Sequence, residues 1–187
     1  ADPNAFGGLH GPVPPLFIAA GANPDPGAVR ALLAAGADIH YIEDNFGRTA
    51  LHQAMLFNTN AVPVLQELFA GTPDMYGMDI DRNTVFNYAV KGTARTIHDS
   101  YDLIFTGVPR NEVLLLLLEA SEKLPYAGQV FPKGAVQREE FFSTLLIQYA
   151  WAFRDKNAIP PVMLDAFEKA GAPEEEVAKV RESMQTR

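Results

Sequence analysis

Gly47-Arg48-Thr49-Ala50-Leu51-His52-Gln53-Ala54 decides how this chain is organised, because two other segments read as worn copies of it. Pro14-Pro15-Leu16-Phe17-Ile18-Ala19 stands 35 positions upstream, counting Pro14 to Thr49. Thr84-Val85-Phe86-Asn87-Tyr88-Ala89 stands 35 positions downstream, counting Thr49 to Thr84. A fixed spacing of this size is the mark of stacked supersecondary units, each too small to bury its apolar face alone.

The residue types between the copies follow one grammar. Asp25 is an N-cap and Pro26 a first helical residue; Val29, Leu32 and Leu33 recur at helical spacing, and Gly36 closes the helix through a left-handed turn. Residues 37–46 are too polar and irregular for a helix and are expected to project as a loop or hairpin. Thr49 then caps a helix to about Phe57, and Asn60 caps another to about Ala70, with Leu65, Leu68 and Phe69 facing inward and Gly71 ending it. Pro63 falls in that helix's first turn, where it is tolerated. Leu32 to Leu68 and Asp38 to Asp74 are both 36 positions, so second helices and loops repeat together with the caps. The Thr49 hydroxyl suits a cap, and His52 is placed to hydrogen-bond back to that turn and to the neighbouring unit. Ala19, Ala54 and Ala89 permit close helix approach.

These residues resemble ankyrin repeats. That family's pattern is a turn, a Thr-Pro-Leu-His helix start, two Ala at the helix crossing, a Leu-Leu pair and Gly-Ala-Asp. Thr49-Ala50-Leu51-His52 with Ala54 matches the first half, and Leu32-Leu33-Ala34-Ala35-Gly36-Ala37-Asp38 the second. The resemblance covers residues 13–122. It implies an all-α, ankyrin-type helix-turn-helix repeat solenoid; beyond 122 the resemblance lends nothing, and an all-helical C-terminal cap is expected because arrays need a polar terminal cover. It also implies protein–protein recognition through projecting loops and a concave helix face. The copies depart from the pattern outward, with Pro14 and Phe17 in place of Thr and His and Asn87 in place of His.

Three regions are expected. Residues 1–12, rich in Gly and Pro, form a flexible lead-in. Residues 13–122 hold the repeats, interrupted by an insertion at 91–109 between Val90 and the helix that opens at Asn111. Tyr101, Leu103, Ile104 and Phe105 predict that this insertion packs rather than staying disordered. Residues 123–187 form a degenerate unit and capping helices: 137–155, apolar on most faces through Phe141, Phe142, Leu145, Leu146, Tyr149, Ala150, Trp151 and Phe153; a helix from Pro160-Pro161 to Ala170, stopped by Gly171; and a last one from Glu174.

Composition narrows the chemistry. Fifteen Lys+Arg against 23 Asp+Glu leave a formal charge of −8, which repels phosphate backbones and anionic lipid and is compatible with a basic-surfaced protein partner. The absence of Cys removes disulfides, thiolate metal sites and thiol nucleophiles. No apolar run has the length of a membrane span. The chain opens on Ala1 without Met, which a cleaved signal leading to periplasm or secretion would explain; otherwise the expectation is cytoplasmic.

Motif chemistry is sparse. Asp79-Ile80-Asp81-Arg82-Asn83 opens like a calcium loop, but Thr84 replaces the turn Gly and Val90 the closing Glu. His98-Asp99-Ser100 holds triad residue types that neighbours in sequence cannot arrange into a triad. His10, His40, His52 and His98 are widely separated. No metal, cofactor or catalytic residue is expected, and the chain is read as non-enzymatic. The candidate partner-binding residues are Tyr41, Glu43, Asp44, Asn45, Phe46, Asp74, Tyr76 and Asp79 in the loops, with His98 and Tyr101 in the insertion. An inhibitor or immunity protein that neutralises a toxic effector fits this size, charge and resemblance. The alternative is an enzyme or ligand-binding protein with a site between the insertion and the C-terminal helices, around His98, Asp99, Tyr101, Tyr149 and Trp151.

Overall fold

The computed structural model describes residues 2–6, 13–96, 103–123, 136–155 and 158–185. Their elements are α1 (Pro15–Ala22), α2 (Pro26–Ala34), α3 (Ala50–Phe57), α4 (Ala61–Phe69), α5 (Val85–Lys91), β1 (Ala94–Thr96), β2 (Leu103–Phe105), α6 (Asn111–Ser121), α7 (Val136–Trp151), α8 (Pro161–Ala170) and α9 (Glu174–Gln185). The described residues are mostly helical and divide into two compact units, 2–88 and a second one from Ala89 onward, so the division falls inside α5.

In the first unit α1 packs on α3 and α2 on α4, which sets two helix pairs side by side. Small residues allow this: Ala20 and Ala54 are fully buried, and a Cβ added at Gly21 would come within 3.0 Å of the Gln53 amide oxygen. Leu16, Leu51, Met55, Val64, Leu65 and Leu68 fill the space between the pairs. The expected inward positions of α2 need correction. Only Val29 is buried there, whereas Leu32 and Leu33 are half-buried, as is Phe69 of α4. Helix α2 contacts both α1 and α4, and its Leu pair stays at the margin of the core.

The caps show how the grammar is realised. The Asp25 carboxylate accepts the Gly27 N–H at 2.9 Å. Asn60 occupies the N-cap position of α4, yet its side chain makes no cap bond there and donates to the Pro24 carbonyl at 2.9 Å. Asn58, buried at the end of α3, is the stronger tether: its amide donates to the Ala20 and Asn23 carbonyls, both at 2.8 Å, while its oxygen accepts Asn60 N–H. Helix α2 closes at Gly36 with φ 88°, as expected. In the next copy the left-handed residue is Thr72 with φ 52°, not Gly71. Gly71 serves packing instead, since a Cβ there would sit 3.2 Å from the Ile39 side chain.

In the second unit the insertion carries a short antiparallel ladder, Ala94 opposite Phe105 and Thr96 opposite Leu103, which sequence reading does not foresee. Its base turns at Gly92, where φ is 93° and an added Cβ would meet the Val108 carbonyl at 2.4 Å. Helix α6 packs on α8, and α7 on α8 and α9. Arg138 is buried among them: its Nε donates to the Ala170 carbonyl at 2.7 Å and an Nη donates to the Ser121 carbonyl at 3.2 Å. One guanidinium thus satisfies the carbonyl ends of both α6 and α8, where the helix dipole favours a cation. Gly171, with φ 117°, closes α8 beneath it.

Candidate interaction surface

The loops between helix pairs are built by acids that bond their own backbone. Asp38 accepts the His40 N–H at 2.8 Å and Asp74 accepts the Tyr76 N–H at 2.9 Å, the same turn 36 positions apart. Asp2 accepts the Asn4 N–H at 2.9 Å, which places a third instance 36 positions before Asp38. The lead-in is therefore part of the repeat plan: Asn4 donates to the Gly36 carbonyl at 3.0 Å and accepts the Asp38 N–H at 2.7 Å.

Further along each loop a second acid turns the chain. The buried Glu43 carboxylate accepts the N–H groups of Asn45, at 2.8 Å, and Phe46, at 2.9 Å. The buried Asp79 accepts those of Asp81, at 3.0 Å, and Asn83, at 2.9 Å, and also the Tyr88 hydroxyl. Burial and this acceptor raise the Tyr88 hydroxyl pKa well above its ordinary value. With its oxygens directed at the chain, Asp79 is an organiser of the turn, and the calcium-like spacing around it is spent on that role.

Two contacts join neighbouring loops. Ile80 N–H donates to the Phe46 carbonyl at 2.9 Å. His52, at the third helical position of the Thr49 capping box, has Nδ1 accepting the Thr49 N–H at 3.2 Å and Nε2 facing the Asn83 carbonyl at 3.1 Å. Those partners fix the neutral tautomer with hydrogen on Nε2, and burial, the leading cause, holds its pKa below 6.5. In the third copy Asn87 takes over the box, its amide oxygen accepting the Thr84 N–H at 2.9 Å and hydroxyl at 2.8 Å.

Residues 16–69 match the family model for ankyrin repeats, a family described as occurring in many copies. This stretch consists of ankyrin repeats. No curated protein matches the chain. Ankyrin repeats generally mediate protein–protein interaction, and the family is typically non-enzymatic. Both of their expected signatures, the Thr49–His52 box and the Gly36 closure, carry the geometry that their residue types imply.

The candidate loop residues separate into two sets. Asp44 and Asn45 are exposed, and Tyr41, Phe46 and Asp74 are half-buried. Tyr41 packs edge-on against the Phe6 and Phe17 rings, and Phe46 covers the buried Arg48 guanidinium at 4.5 Å. Glu43, Tyr76 and Asp79, candidates for partner contact in the loops, are buried; Tyr76 lies against Phe86 with centroids 5.5 Å apart. An acid in a polar loop lowers its energy by accepting several backbone N–H groups, so it turns inward where the chain curls around it. Missed by sequence reasoning are the exposed apolar residues Phe6, Ile42, Met78 and Ile80. His10, His98, Asp99 and Tyr101 lie outside the described residues.

Two residues of the alternative site, Tyr149 and Trp151, lie on α7. Tyr149 is fully buried, with its hydroxyl donating to Asn111 at 2.8 Å, whereas Trp151, expected on a buried face, is 80% exposed. Two positions apart on one helix, they point to different sides and do not converge. Among the described residues no group of three or more His, Asp or Glu is placed to hold a metal ion, and no helix is long and apolar enough to cross a membrane.

Proposed function

We propose that this chain binds a basic-surfaced protein partner, without catalysis, through the loops of its ankyrin repeats. The observation that carries this reading is the construction of those loops. Glu43 and Asp79 are consumed in holding two turns of similar plan, and the Ile80 to Phe46 bond sets the turns edge to edge. Among the exposed residues of these loops are Asp38, Asp44 and Asp81, with Asn45 and one cation, Arg82. A rigid acidic edge of this kind steers a cationic partner and loses little entropy on binding. The finer role is that of an inhibitor or immunity protein which occludes a toxic effector enzyme, supported by the acidity of the chain.

Affinity capture tests the reading. The wild-type chain recovers a partner whose binding weakens with salt, and Asp44→Lys with Asp81→Lys loses it while the melting temperature holds. Recovery unchanged by both reversals contradicts the reading. The inhibitor role further requires that the captured protein have an activity that equimolar chain suppresses.

A further inference from the structure

Three exposed apolar side chains repeat with the units. Phe6, Ile42 and Met78 are 63%, 59% and 54% exposed, and each stands four residues after a turn-forming acid, Asp2, Asp38 or Asp74. Their spacing of 36 positions is that of the repeat; Phe6 also meets the Tyr41 ring edge-on. We infer that this row docks an amphipathic α-helix of the partner, one with apolar residues at heptad spacing and Lys or Arg on its flanks. The inference rests on the protein-binding reading above and specifies its partner.

Spacing selects the helix. Side chains that recur once per stacked unit lie about as far apart as packed helices do, about 8–10 Å. On an α-helix, residues seven apart are about 10.5 Å along the axis and nearly on one face. In a β-strand, residues sharing a face are about 6.6 or 13 Å apart, so neither spacing keeps step with the row. A polyproline segment repeats at about 9 Å, but such segments are taken up in grooves lined by aromatic rings. Here the residues are exposed and two of three are aliphatic, side chains that can pack between the ridges of a helix.

Charge selects the flanks. Asp38, Asp44 and Asp81 are exposed beside the row and Asp74 is half-exposed, against Arg82 as the exposed Lys or Arg of the same loops. A second copy of this chain, itself at −8, would bring like charge onto that edge.

A displayed library of random 18-residue peptides, selected on the full chain, tests this. Enriched peptides should carry apolar residues at i and i+7 with intervening Lys or Arg, and should bind Ile42→Ser/Met78→Ser at least about tenfold more weakly. The thermal melt of that variant should match wild type, since both side chains are exposed. Enrichment of Pro at every third position, or binding indifferent to the double variant, overturns the inference. If binders indifferent to that variant are nonetheless lost with Asp44→Lys/Asp81→Lys, the protein-binding reading survives alone; if no binder depends on the loops, both fall.

Discussion

The His52 imidazole bridges two repeats: its Nδ1 accepts from Thr49 at the start of its own helix, and its Nε2 donates to the Asn83 carbonyl of the next loop at 3.1 Å. The same Asn83 carbonyl accepts the Asp79 N–H at 3.1 Å, so one ring connects a helix cap to the turn that Asp79 holds. His52→Ala removes both bonds and should cost about 2–3 kcal/mol in urea unfolding. His52→Asn, which reproduces the Asn87 box of the third copy, keeps the cap but is too short for Asn83, and should cost roughly half as much.

The same residue sets a pH dependence. Burial lowers the folded-state pKa of His52 below 6.5, so the unfolded chain binds more protons there. The contribution of neutral His52 is fully present above about pH 6.5 and falls away as pH drops below it, with a slope of at most about 1.4 kcal/mol per unit. Unfolding free energies from about pH 7.5 to 5, spanning the ordinary imidazole range, should show this slope for wild type relative to His52→Asn. The difference isolates His52 from the carboxylates, which both chains share.

Thr72 and Arg82 hold left-handed backbone, with φ 52° and 60°, where earlier copies have Gly36 and Gly47 at 88° and 65°. Left-handed residues with a Cβ cost about 1–2 kcal/mol, partly offset by the greater freedom of Gly in the unfolded chain. Thr72→Gly and Arg82→Gly should each stabilise by about 0.5–1 kcal/mol. Gly36→Ala should destabilise by about 1–2 kcal/mol, and purely through its backbone, because nothing lies within 4 Å of an added Cβ. Urea unfolding of the four chains side by side checks the signs.

Arg138 bridges the carbonyl ends of α6 and α8. Arg138→Met leaves two buried carbonyls short of a donor and should cost about 2–4 kcal/mol by thermal or urea unfolding. Arg138→Lys should not restore it, because a single ammonium cannot reproduce the planar fork that reaches both.

The repeat core is legible in the sequence because its signals are local. Asp25, Thr49 and Gly36 act within one turn, so residue type and spacing alone give the helix limits. The burial of Glu43 and Asp79 is not legible, because an acid in a polar loop has the same sequence signature whether it faces solvent or collects N–H groups. Nor is the exposure of Trp151, because burial on α7 depends on which neighbours α8 and α9 supply. The apolar row emerges only in three dimensions, since Ile42 and Met78 gain meaning once their exposure and their place after Asp38 and Asp74 are seen together. Strands of three residues, as in the insertion, are too short for any periodicity to register.

Hydrogen exchange of the full chain, free and with its captured partner, tests the central claim most directly. Binding through the repeat loops predicts new protection in amides 38–46 and 76–83, with the helices of the second unit unchanged. Protection confined to residues 111–123 and 136–185, with both loops exchanging as in the free chain, would contradict it.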